Sequence, residues 1–153
     1  MPREPQSAAG AASKDVAEKS ARPHDMPVRI LIVEDDYFVA MALEQDLVDA
    51  GFEVVGIAVT AEEALHLADV HRPALVVMDI RLAGARDGID AAVNLRSRFG
   101  IGSIFATAHG DETTRARAEM AQPLGWLIKP YSVKTVLQTI RAVLAAANSG
   151  NDT

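Results

Sequence analysis

Short apolar runs alternate with amphipathic segments along most of the chain. Runs with the length of β-strands lie at residues 28–33, 53–58, 74–79, 102–107 and 124–128. The first, third and fourth are almost entirely apolar, as expected for parallel strands covered on both faces. The short connections allow only right-handed crossovers. We therefore predict an α/β fold with a five-stranded, doubly wound parallel sheet. Chain order alone does not give the order of the strands, for which we expect the usual flavodoxin-like arrangement 2-1-3-4-5.

Helices are predicted in the intervals between these strands, at about 36–50, from residue 60 onward, at 89–99, at 111–121 and after residue 132. Asp36 is the predicted N-cap of the first helix, and Gly51 follows its end. Thr60 and Glu63 have the spacing of a capping box. The expected core-facing stripe of the first helix consists of Phe38, Met41, Ala42, Gln45 and Val48.

Both ends of the chain lack the apolar pattern of the middle. Residues 1–27 are rich in Ala, Ser and Pro, and their charges cancel, so we expect a disordered leader. Residues 148–153 are expected to form a disordered polar tail with no output domain after them. A single domain is thus expected over residues 28–147.

Composition excludes several classes of protein. The chain has no cysteine, which rules out disulfides and thiolate metal sites. A net charge of -6 argues against a nucleic-acid partner, which would require a basic face. No apolar stretch is long enough to span a membrane or to act as a secretion signal. We therefore expect a cytoplasmic protein.

Polar residues stand where four of the five strands end. Glu34 and Asp35 follow the first strand, Asp79 ends the third, Thr107 ends the fourth, and Lys129 follows the fifth. The carboxyl ends of parallel strands meet at one edge, so these groups should converge. Three crowded carboxylates indicate a Mg²⁺ site around a reactive aspartate. A hydroxyl and an ammonium beside them suit a transferred phosphoryl group.

Each of these residues also has an ordinary structural interpretation. An acid after a strand is often only a helix N-cap, and Lys129 or Thr107 alone would be read as surface or strand-end groups. It is their joint occurrence at the right strand ends that favours a functional site.

In the order and spacing of these residues the chain resembles the receiver domain of two-component response regulators, over about residues 28–147. The family pattern is an acidic pair, a phosphoaccepting Asp, a Thr or Ser, and a Lys-Pro. The chain meets this pattern in the same order, with Glu34 and Asp35, then Asp79, Thr107 and Lys129-Pro130.

The resemblance implies a role for each matching residue. Asp79 would accept the phosphoryl group. Asp35 and Asp79 would bind Mg²⁺ directly, Glu34 would act through water, and the backbone carbonyl of Arg81 would complete the protein's share. Thr107 and Lys129 would contact the phosphoryl group.

Two further features follow from the same resemblance, and a third follows from the positions of two residues at the mouth of the site. The peptide bond before Pro130 would be cis. Trp126 stands where the family usually has Tyr or Phe, so it is a candidate switch residue, although it is also readable as core packing. Arg81 and His109, two residues beyond Asp79 and Thr107, are candidates for tuning water access, or else plain surface residues.

The expected function is a stand-alone phosphoacceptor switch, not an enzyme in the usual sense. A histidine kinase or a histidine phosphotransfer protein would donate the phosphoryl group. A downstream protein or a second copy would bind the face formed by the fourth helix, fifth strand and fifth helix. The alternatives are a haloacid-dehalogenase-like Mg²⁺-dependent phosphohydrolase, a phosphate sink or relay without an output partner, and a docking module without phosphorylation.

Overall fold

The computed structural model describes residues 26–108 and 112–151. The helices and strands alternate as the sequence pattern predicts. In chain order they are β1 (Arg29–Val33), α1 (Tyr37–Asp49), β2 (Glu53–Ala58), α2 (Ala61–His71), β3 (Leu75–Asp79), α3 (Gly88–Phe99), β4 (Gly102–Thr107), α4 (Glu112–Ala118), β5 (Gly125–Ile128) and α5 (Val133–Asn151).

The strands form one parallel sheet in the order β2-β1-β3-β4-β5, which confirms the predicted topology. The register places Asp79 beside Ala106 and Thr107 beside Ile128. The residues that follow β1, β3, β4 and β5 therefore meet along one edge of the sheet. This edge carries the candidate site.

Side chains alternate between two apolar cores, one on each face of the sheet. On one face, β-strand residues such as Leu31, Val76 and Phe105 pack against α2, α3 and α4. On the other face, residues such as Ile32, Val77 and Leu127 pack against α1 and α5. Every residue of β3 and β4 is buried, which explains why these two strands are apolar apart from Ser103 and the polar residues at their ends.

The predicted core-facing stripe of α1 is wrong. Phe38, Met41 and Val48 are exposed by 82%, 43% and 50%, while Ala40, Leu43 and Leu47 are buried. The helix is apolar on more than one side, so its periodicity fits two stripes. The sheet packs against the stripe of Ala40, Leu43 and Leu47. An apolar patch consequently remains on the outer side of α1.

The three helix-end features predicted from the sequence form, one of them incompletely. Asp36 accepts hydrogen bonds from the backbone N–H groups of Phe38 and Val39 at the start of α1. Gly51, with φ +96, follows the end of that helix, in the left-handed region that glycine adopts without strain.

At α2 only half of the predicted capping box is present. The hydroxyl of Thr60 accepts from the N–H of Glu63, but the Glu63 carboxylate accepts from the N–H of Val59 instead of Thr60. A complete capping box occurs at α3, between Asp87 and Asp90.

The last two helices differ from their predicted bounds. α4 gives way to a 3-10 turn, Glu119–Ala121, where regular α-helix was expected, while residue 111 lies outside the described residues. α5 continues to Asn151, so residues 148–151 of the expected disordered tail are helical, and residues 152–153 lie outside the described residues. Three consecutive alanines, which are the best helix formers, directly precede this stretch. Residues 1–25 of the expected leader lie outside the described ranges. Within those ranges, no helix is long and apolar enough to cross a membrane.

Candidate functional site

The carboxyl edge of the sheet brings together the four strand-end groups that the sequence singles out. Glu34, Asp79 and Thr107 are buried, with exposures of 3%, 6% and 7%. Lys129 is half-buried and reaches into the same cluster. Buried charged residues are rare unless they are paired or bind a ligand, so this cluster needs an explanation beyond packing.

Glu34, Asp35 and Asp79 form a compact group of acids. One carboxylate oxygen from each lies within 4.8 Å of the others. Hydrogen bonds hold both the backbone and the side chain of Glu34. Its backbone N–H donates to the carbonyl of Ala58 at 2.9 Å, and its Oε2 accepts from the N–H of Asp36 at 3.1 Å. Asp35 is exposed at the open side of the group. Asp36, by contrast, uses its carboxylate to cap α1.

Lys129 neutralises part of this negative charge. Its ammonium donates to Oε1 of Glu34 at 2.7 Å and lies 3.3 Å from Oδ2 of Asp79. Its backbone N–H donates to the carbonyl of Thr107 at 2.8 Å, which holds the end of β5 against β4. The peptide bond between Lys129 and Pro130 is cis, the geometry that the resemblance implies.

The surroundings of Asp79 make its ionised form costly. Burial is the largest cause, followed by the neighbouring Glu34 carboxylate, and together they raise the pKa of Asp79 from 3.8 to about 7 against the opposing effect of Lys129. For Lys129, burial alone would lower the pKa, but the hydrogen bond to Glu34 and the two nearby carboxylates raise it above the ordinary value. The site therefore keeps the Lys129 ammonium protonated beside the Asp79 carboxyl, whose ionised form is disfavoured by burial and by the nearby Glu34.

A cavity of about 340 Å³ opens onto these groups. Its walls include Asp79, Thr107 and Lys129, and also Thr114, from the first turns of α4. Sequence reasoning missed Thr114, because no pattern distinguishes it from other polar residues of a short helix. The volume is sufficient for a group the size of phosphate.

Arg81 borders the cavity, and its backbone N–H donates to Oδ1 of Asp79 at 3.3 Å while its side chain is exposed. His109, the other candidate for tuning, lies outside the described residues. Trp126 does not line the cavity. Its ring packs beside Phe105, with a centroid separation of 5.3 Å, on the α4 side of the sheet.

The donor set fits Mg²⁺. This cation prefers hard oxygen ligands and retains several of its waters, so it is held by few carboxylates at the mouth of a pocket. Glu34, Asp35 and Asp79 offer such oxygens within 4.8 Å of one another, and the exposure of Asp35 leaves that side open to water. The repulsion that raises the pKa of Asp79 is the kind a bound cation relieves.

Comparison with known proteins agrees with this geometry. Residues 30–141 match the family model described as the response regulator receiver domain. The chain is 35% identical over 120 residues to the transcriptional regulatory protein PdtaR of Mycobacterium tuberculosis, covering 78% of this chain and 58% of that protein. It is 33% identical over 124 residues to the chemotaxis protein CheY of Bacillus subtilis, covering 78% of this chain and 99% of CheY.

Among solved structures, the chain is similar to the signal receiver domain of a modulated diguanylate cyclase from Desulfovibrio desulfuricans. The TM-score is 0.75 with 33% identity, over 82% of this chain and 98% of that one. The chain spans little more than half the length of PdtaR, so the similarity concerns the receiver portion of that protein.

Proposed function

Because this chain belongs to the response regulator receiver domain family and is therefore a phosphoacceptor switch, we propose that Asp79 is the residue that accepts the phosphoryl group. The observation that carries this proposal is the position of its carboxylate. It is a buried acid that opens onto a cavity of about 340 Å³ and has an ammonium 3.3 Å away. A nucleophile, a cation and room for a tetrahedral group thus coincide at one point.

In the proposed transfer, an oxygen of the ionised Asp79 carboxylate forms a bond to phosphorus. The phosphorus–nitrogen bond of a phosphohistidine donor breaks, its electron pair stays on the imidazole, and that ring takes up a proton as it leaves. Lys129 is placed to move from Asp79 to an oxygen of the transferred group, and the Thr107 hydroxyl is placed to donate to another.

Glu34, Asp35, Asp79 and the backbone carbonyl of Arg81 are the proposed protein contacts of Mg²⁺. When bound, the ion offsets the charge of the acids and of the phosphoryl oxygens. The chain's own contribution is to hold Glu34 in place through Ala58 and Asp36, and to keep Asp79 close to Lys129.

The assignment of Asp79 is tested by phosphorylation with acetyl phosphate or a phosphohistidine protein in the presence of Mg²⁺. Wild type should take up one hydroxylamine-sensitive phosphoryl group, and Asp79→Asn should take up none. Asp36→Asn is the matched control, because it removes a neighbouring acid while Asn preserves the helix cap. Labelling of Asp79→Asn at the wild-type level would refute the assignment.

The haloacid-dehalogenase-like alternative is not supported. The chain matches the receiver family over residues 30–141, and the nucleophile of the alternative would belong to an Asp-x-Asp pair on the first strand. Here Asp79 ends β3, and Arg81 occupies the position of the second Asp. The family is that of a signalling switch and not of a turnover enzyme.

The proposed donors are a histidine kinase or a histidine phosphotransfer protein, and the proposed output surface is the α4–β5–α5 face. Large apolar side chains are exposed on this face or next to it: Met120 of the 3-10 turn by 75%, Leu124 by 36% and Ile128 by 48%. Such exposed apolar residues favour a protein partner, either a downstream protein or a second copy.

Hydrogen exchange with and without beryllofluoride and Mg²⁺ tests this surface. Changed protection in α4, β5 and α5 is expected, and sedimentation of the loaded protein distinguishes a second copy from another partner. Unchanged exchange at this face would favour a phosphate sink or relay. Arg81 and His109 remain proposed tuning residues, for which the lifetime of the acyl phosphate in Arg81→Ala and His109→Ala is the measurement.

A further inference from the structure

The single tryptophan of the chain lies between a buried ring and an exposed cation. On the core side, Phe105 is fully buried, and its ring is tilted by 35° to that of Trp126 at a centroid separation of 5.3 Å. From α4, the guanidinium carbon of Arg115 lies over the indole at 4.4 Å from its centroid. This distance is well within the range of a cation–π interaction, and an indole is the best aromatic partner for one.

The same three residues are connected to the phosphoacceptor cavity from two directions. Phe105 and Thr107 project from the same face of β4, two positions apart, and Phe105 pairs in register with Trp126 of β5. On α4, Thr114 lines the cavity and precedes Arg115 directly. A change around Asp79 can therefore reach Trp126 through β4 and can reach Arg115 through α4.

α4, which carries Arg115, is also linked to α3 by an ion pair. One turn from the site, the guanidinium of Arg117 forms an ion pair with Asp87, the N-cap of α3, at 3.0 Å. Asp87 and Asp90 form the capping box of α3, so this ion pair ties α4 to a rigid helix end. The backbone segment that carries Arg115 is thus linked to the start of α3 by a partly exposed ion pair.

We propose that Arg115 is a positioning residue for Trp126. It holds the indole in the position that the ring has while Asp79 is unphosphorylated, and it thereby favours the inactive conformation over the activated one. This inference rests on the proposed function, since it takes Trp126 to move when Asp79 is phosphorylated. Removing the guanidinium should release the indole and lower the cost of activation.

An effect of charge alone would have the opposite sign. If Arg115 acted only as a positive charge near the acidic site, its loss would weaken the binding of an anionic phosphoryl mimic. If it restrains Trp126, its loss strengthens that binding. The direction of the change therefore distinguishes the two roles.

The test compares wild type with Arg115→Gln and Arg115→Lys in the full chain. Gln is close to Arg in helix propensity, so α4 should be preserved, and Lys retains a cation that can rescue the interaction in part. Arg98→Gln is the matched control, because Arg98 is also exposed and lies over an aromatic ring, that of Phe99 at 5.2 Å, away from the site.

The first measurement is acrylamide quenching of tryptophan fluorescence without added ligand. Arg115→Gln should be quenched more strongly than wild type, and Arg98→Gln should match wild type. Equal quenching of wild type and Arg115→Gln would overturn the proposed positioning, whether or not Asp79 is phosphorylated.

The second measurement is the beryllofluoride concentration that gives half of the fluorescence change, at saturating Mg²⁺. Loss of one exposed cation–π contact should lower this concentration by about two- to five-fold in Arg115→Gln, with a smaller change in Arg115→Lys. An unchanged or raised midpoint would overturn the inference. No fluorescence change in wild type would contradict the premise that Trp126 moves and would overturn the inference, while the labelling of Asp79 would test the proposed function separately.

Discussion

Replacing Asp79 by Asn is predicted to stabilise the metal-free protein above neutral pH. In the folded protein, burial and Glu34 raise the pKa of this carboxyl from 3.8 to about 7. Keeping Asp79 ionised therefore costs free energy in the folded state that the unfolded chain does not pay. An amide of the same shape removes that cost.

The size and sign follow from proton binding. Between pH 3.8 and about 7 the folded protein holds a proton at Asp79 and the unfolded chain does not, so stability falls as pH rises through this window. The free energy of unfolding falls by about 1.4 kcal/mol for each pH unit in this window. The total decrease is reached above the folded pKa and amounts to about 4 kcal/mol. This figure is a ceiling, because the Asn amide brings donors next to the ammonium of Lys129.

Urea denaturation of wild type and Asp79→Asn in chelator tests the prediction. Asp79→Asn should be more stable than wild type by at least about 1 kcal/mol near pH 8, and the difference should vanish near about pH 4. The control Asp36→Asn replaces an exposed acid and should show no such pH-dependent gain. A gain that is absent, or that is larger at low pH than at high pH, would refute the account of how Asp79 is surrounded.

The remaining predictions concern the metal, a buried hydroxyl and a close contact. Asp35→Ala, or removal of Mg²⁺ by chelator, should stop phosphotransfer to the protein, because Asp35 is one of three clustered acids; full transfer in chelator would contradict the metal site. Ser103→Ala should leave the free energy of unfolding unchanged or raise it by up to about 2 kcal/mol, as measured by urea denaturation. The reason is that the buried hydroxyl has no hydrogen-bond partner among the described residues. Gly88→Ala should destabilise by about 3 kcal/mol or more in the same assay, because the new Cβ would lie 1.9 Å from the backbone oxygen of Asp79; near-normal stability would show that α3 can shift.

The sequence predicted the sheet well because its parallel strands are covered on both faces. Burial on both sides leaves β3 and β4 mostly apolar, with Ser103 as the one polar residue before the strand ends, so the acid that ends β3 and the hydroxyl that ends β4 are conspicuous. The apolar pattern alone therefore suffices to place Asp79 and Thr107 at one edge of the sheet. The strand order β2-β1-β3-β4-β5 was predicted as the usual solution for five such units, because short right-handed connections fix the handedness of the crossovers and not the order of the strands.

The parts that the sequence did not predict depend on packing between elements. The rotation of α1 about its axis is one, since Phe38 and Leu43 are equally apolar and only contact with the sheet decides which is buried. The approach of α4 to the site is another. Thr114 and Arg115 acquire their positions from where that short helix lies, and no local pattern encodes this.

The most direct test of the central claim is to locate the phosphoryl group chemically. The protein is phosphorylated with acetyl phosphate and Mg²⁺, the acyl phosphate is reduced with borohydride, and the peptides are sequenced by mass spectrometry. Reduction should convert one aspartate, at position 79, to homoserine. Homoserine at another acid of the cluster, such as position 35, or its absence from the peptide that contains position 79, would contradict the account.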